Sequence, residues 1–147
     1  MRNWSFSLLV TATLLSASPA LAADLVYLQG GATQATDPAN PTPALQGERF
    51  RGFVFNLDKT PGAQMHLEGV DNVVVLEGDA TLVYGGDIAD SHMISEGEFH
   101  GAGLSGDTKS VELHANDIVQ IPAGMPQWFK PHGHIRYVVF RTPGRKD

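Results

Sequence analysis

Between Arg49 and Arg141 the chain is a succession of short runs rich in Val, Ile, Phe and Leu, each cut by Gly, Pro, Asn or Asp. None sustains the 3.6-residue period of an amphipathic helix. Strands are expected at Arg49 to Leu57, Gln64 to Glu68, Asp71 to Glu77, Ala80 to Tyr84, Glu98 to Leu104, Ser110 to His114, Ile118 to Ile121, Gln127 to Lys130 and Ile135 to Arg141. Turns are expected at Gly78-Asp79, Gly85-Gly86, Asn116-Asp117 and His132-Gly133-His134, with residues 87 to 97 polar and turn-like. Gly69 is a short bend joining two paired strands. Pro122-Ala123-Gly124-Met125-Pro126 is excluded from helix and central strand, because proline donates no backbone hydrogen bond. Short strands at this spacing specify an all-β sandwich or barrel.

The first residues have a different character. Arg2 precedes an apolar stretch from about Phe6 to Leu15, and Ala20-Leu21-Ala22 forms a small-residue cleavage pattern. Residues 1–22 therefore read as a cleaved signal peptide, with export to the periplasm or outside. Pro19 and the Ser/Thr content interrupt the stretch before it reaches the length of a membrane span. Residues 23–48 read as a short strand at Leu25 to Leu28 and a Gly-, Ala-, Thr- and Pro-rich arm, residues 49–142 as one barrel domain, and residues 143–147 as a tail. The net charge of −6 lacks any Lys/Arg run, which disfavours nucleic acid and anionic lipid as partners. With no cysteine in the chain, stability rests on the apolar core, and a homodimer is the expected way to cover open strand edges.

Four polar side chains crowd where an apolar wall would fold more safely. Gln64 and His66 share one face of a strand, since side chains alternate. Asp71 lies just past the Gly69 bend, and Gln127 follows the rigid Pro122–Pro126 turn. Together they can line the mouth of a barrel, with Phe129 beside them as an apolar contact.

These segments resemble the two motifs of the cupin superfamily, in its small single-domain form. The first reads GAQMHLEGVDNVVVLEG from Gly62 to Gly78, and the second reads NDIVQIPAGMPQ from Asn116 to Gln127. The resemblance spans roughly Arg49 to Arg141 and implies an antiparallel jelly-roll barrel. Carried over residue by residue, it puts Gln64 and His66 at the two histidine positions of the first motif. Asp71 falls at its glutamate position, and Gln127 at the histidine position of the second motif. One histidine is kept, the acid is a methylene shorter, and two histidines are glutamine.

The implied metal set is thus Gln64, His66, Asp71 and Gln127, for one divalent ion such as Fe, Mn, Ni or Zn, or for none. An amide oxygen and a carboxylate are legitimate ligands, yet the shortened acid withdraws its oxygen by about 1.3 Å, beyond the usual tolerance of a metal bond. The other reading is a hydrogen-bonded barrel mouth that binds a small organic molecule. As implied by the resemblance, the enzymatic alternative is a metal-dependent dioxygenase, isomerase or lyase acting on a small organic acid or phenol. A third reading uses His66 and Asp71 as a proton-transfer pair. His92 and His100 are candidates to enter the pocket, whereas His114, His132, His134, Glu68, Glu77 and Asp79 are expected at the surface.

Overall fold

The computed structural model describes residues 27, 36–38 and 41–144. The expected strand at Leu25 to Leu28 lies outside them, apart from Tyr27, which is exposed and irregular. Nine strands follow: β1 (Leu45–Gln46), β2 (Arg51–Leu57), β3 (Ala63–His66), β4 (Gly69–Ala89), β5 (His92–Ser95), β6 (Glu98–Gly101), β7 (Gly103–Leu113), β8 (Ile118–Ile121) and β9 (Gln127–Pro143). All pairings are antiparallel. Among the described residues no helix is long and apolar enough to cross a membrane.

Two long strands close the barrel. The first part of β4 pairs with β8 on one side and the last part of β9 on the other, and β9 in turn pairs with β2. This gives one layer in the order β1-β2-β9-β4-β8. The second part of β4 pairs with β7 and with the first part of β9, which meets β3 at Gln127; β3 continues to β6 and β5. The second layer is therefore β5-β6-β3-β9-β4-β7. β4 and β9 run together through both layers, and the sheet wraps around the space between them.

This corrects several expected turns. Gly78-Asp79 does not return the chain. Gly78 has φ +76° and sits between two register shifts, so β4 bends and continues into the second layer. A Cβ there would lie 2.1 Å from the His134 carbonyl oxygen, and glycine alone fits so close a crossing of β9. Gly85-Gly86 makes a further irregularity without ending the strand, and residues 87–97 contain the end of β4 and all of β5. β9 likewise passes through His132-Gly133-His134 unbroken. β3 pairs with β6 and β9, not with the strand beyond the Gly69 bend. Composition marks these glycines as breaks, whereas long-range pairing on both sides keeps them inside strands.

The core is a set of inward columns. Val73 and Val75 of β4 and Ile135, Tyr137 and Val139 of β9 alternate with exposed or half-buried neighbours. Phe53, Phe55 and Leu57 of β2 extend the columns, with Val54 between the two phenylalanines also buried, and Leu82 and Ile121 join them. Phe129 stacks on Tyr137 with ring centres 4.7 Å apart, and Tyr137 lies 5.2 Å from Phe55. Phe129 is therefore a core residue.

Candidate functional site

Each of three neighbouring columns ends in a charge. One step beyond Val75 and Val73 stands Asp71; one step beyond Tyr137 and Val139 stands Arg141; one step before Phe53 stands Arg51. Register sets the three side by side, since Asp71 pairs with Arg141 and Arg141 with Arg51. Directly paired residues share a face, so these charges cap the core at one end of the barrel. The second layer supplies the facing groups: His66 on β3 lies across from Glu98 on β6, and Gln64 lies between His100 and Gln127.

The guanidinium of Arg141 joins the layers. Its Nε donates to Asp71 Oδ1 at 2.6 Å and its Nη2 to Asp71 Oδ2 at 3.1 Å, a two-pronged pair. Nη2 also donates to His66 Nε2 at 2.7 Å, and Nη1 lies 3.3 and 3.4 Å from the two Glu98 oxygens. Gln127 Nε2 donates to Asp71 Oδ2 at 2.9 Å. The guanidinium carbon sits 5.2 Å from the centre of the Phe53 ring, on the apolar side of the cluster. Because arginine can only donate, His66 Nε2 accepts, and the ring proton belongs on Nδ1, which is hydrogen-bonded to Glu98 Oε2. Burial raises the pKa of Glu98, but the contacts with His66 and Arg141 outweigh it and hold the carboxyl below its usual value. His100, half-buried behind Gln64, has its pKa lowered, chiefly by burial.

His66, Asp71 and Gln127 are thus brought together as expected, all nearly inaccessible at 5%, 3% and 4% exposure. Gln64 is on the same face, in register with Gln127. Phe129 lies in the core and lines neither cleft described below. Of the two additional histidines, His100 approaches the cluster and His92 is exposed, near the Asp90 carbonyl. Arg141 and Glu98 went unread in the sequence. Arg141 had a signal, the period-2 continuation of Ile135, Tyr137 and Val139. Glu98 had none, because its pairing with His66 joins strands that are not consecutive.

The cluster reaches solvent through its edge. A cleft of about 310 Å³ is bordered by Arg49, Arg51, Glu68, Glu96, Glu98 and Arg141 among others. A second, of about 280 Å³, is lined by Pro41, Arg51, Phe53, Ile94, Ser95, Glu98 and Arg141. Arg51, Glu98 and Arg141 belong to both.

No protein-family model matches the chain, and no curated protein sequence matches it. Solved structures do. One is a conserved protein with a double-stranded β-helix domain from Klebsiella pneumoniae, 17% identical over 72% of this chain and 77% of that one, with a TM-score of 0.50. Another is a cupin superfamily protein from Desulfitobacterium hafniense, 12% identical over 71% and 75% of the two chains, with a TM-score of 0.47. A third is the hydroquinone 1,2-dioxygenase PnpCD in complex with Fe3+, 10% identical over 70% of this chain and 27% of that one, with a TM-score of 0.50. The fold is the all-β, antiparallel jelly-roll barrel of the cupins, as the sequence motifs led us to expect.

That fold family implies a metal among the motif positions. The donor set here does not fit one. The only free lone pair of neutral His66, on Nε2, and both oxygens of Asp71 are engaged by a cationic side chain. Among the described residues no three His, Cys, Asp or Glu side chains are arranged to hold an ion.

Proposed function

We propose that this chain is an exported cupin that binds a small organic acid at the cleft between Arg51 and Arg141. The observation that carries this reading is the second cleft, where two cations in register meet an apolar wall. Arg141 is already paired to Asp71 and Glu98, whereas Arg51 is exposed and forms no ion pair among the described residues. A carboxylate has Arg51 and the Ser95 hydroxyl as polar partners, and Phe53, Ile94 and Pro41 accept an apolar tail. His66, Asp71 and Gln127 act from behind, holding Arg141 in place. Export rests on the signal-like first 22 residues. A homodimer belongs to the same reading, since β5 is a short edge strand with Met93 and Ile94 exposed. Against the metal-dependent alternative stands the engagement of His66 and Asp71 by Arg141.

The test is calorimetric titration of hexanoate and phenylacetate against their neutral amides. The acids should bind and the amides should not, with Arg51→Ala removing the difference. Equal binding of acid and amide, or no binding of either, sinks the proposal.

A further inference from the structure

The Arg141 side chain is 10% exposed and that of Asp71 is 5% exposed, so the pair is held in the interior. Burying a charge is costly unless it is paired and hydrogen-bonded, and here the pairing is unusually complete. We infer that Arg141 is the resident cation of this barrel, standing where a divalent ion would have to bind and keeping such ions out of the folded chain.

Four features carry the inference. The lone pair of His66 Nε2, which lies in the ring plane and can serve one partner, is given to Nη2 at 2.7 Å. The Asp71 oxygens take Nε at 2.6 Å, Nη2 at 3.1 Å and the Gln127 amide at 2.9 Å. Glu98 holds His66 from Nδ1, the place of the outer carboxylate that orients a metal-bound histidine, but here it orients the ring toward arginine. Finally, guanidinium does not deprotonate in proteins, so it cannot yield its place by losing charge. β9 fixes it directly across from Asp71, so its local concentration is independent of any ion in solution. The inference stands apart from the identity of the cleft's ligand, because it concerns the buried lone pairs and not Arg51.

The test uses Co2+ with the full chain, followed by equilibrium dialysis and visible absorption. Wild type should bind no Co2+ beyond the level of His66→Ala. Arg141→Met should gain one equivalent with ligand-field bands, and the gain should vanish in Arg141→Met/His66→Ala. Wild type that binds one equivalent, lost in His66→Ala, overturns the inference. So does a folded Arg141→Met, by circular dichroism, that binds no more than wild type. Should Arg141→Met fail to fold, 15N spectra of wild-type histidines decide. An unprotonated Nε2 on His66, undisturbed by Co2+, supports the inference. Paramagnetic broadening that singles out His66 overturns it.

Discussion

The two ends of the barrel interior are buried alike and held together differently. At one end Val73, Val75, Leu82 and Ile135 are at most 1% exposed and carry no polar side-chain atom. At the other, His66, Asp71 and Gln127 are nearly as inaccessible, yet each hydrogen-bonds a neighbour in the cluster. The apolar end is stabilised by area removed from water, an effect that tolerates modest repacking. The polar end depends on partners. Losing one leaves the others buried and unsatisfied, so its stability is all-or-none in a way the apolar end's is not. Gln127 shows the margin: its Nε2 is satisfied by Asp71, while its Oε1 has no partner among the described residues. Turning the amide over would set that oxygen against a carboxylate.

The sharpest way to break this contrast is Arg141→Met. Leaving Asp71 buried without its cation should cost about 3–5 kcal/mol in denaturant melts. Adding Asp71→Leu should recover the part due to the unpaired charge but not the part due to the Gln127 amide left without Asp71. If the single variant costs no more than a surface substitution, the polar end is not the cooperative unit described. Leu82→Ala, at the apolar end, should cost about 3 kcal/mol, and a second apolar substitution at a distance should simply add to it. Gly78→Ala probes the bend that carries β4 between layers. With φ +76° and a Cβ 2.1 Å from the His134 oxygen, it should lose about 2 kcal/mol or more in thermal melts.

The smallest effects are in pH. His100 has its folded pKa lowered, so the unfolded chain takes up the proton more readily. Its contribution is present above the unfolded value of 6.5 and is lost as pH falls below it. Glu98, also lowered, contributes above its unfolded value of 4.5 and loses that contribution as acid titrates the folded carboxyl. Melting temperature should therefore decline in two steps on acidification. His100→Gln should remove the upper step and Glu98→Gln the lower. A curve that is flat from neutrality to about pH 4 would contradict the environment assigned to His100.

Much of this was legible in the residues themselves. Strand content follows from β-rich runs between turn formers, and the two motifs place His66, Asp71 and Gln127 together from the sequence alone. Period-2 alternation also carried Arg141, as the next inward position after Val139, although a charge there reads naturally as the end of a strand. What local sequence cannot convey is whether a glycine ends a strand or lets it bend. Gly78, Gly85 and Gly133 look alike in composition, and it is neighbours supplied by distant segments that keep β4 and β9 continuous.

By itself, then, the sequence determined the all-β class, the inward columns and the polar residues at their ends, because side-chain alternation and turn chemistry act over a few residues. Only the tertiary structure decided which charges meet. Glu98 faces His66, and Arg141 faces Asp71, through pairings between segments 32 and 70 residues apart. Register across such separations is set by the whole sheet, and the cation at the centre of the site is a consequence of it.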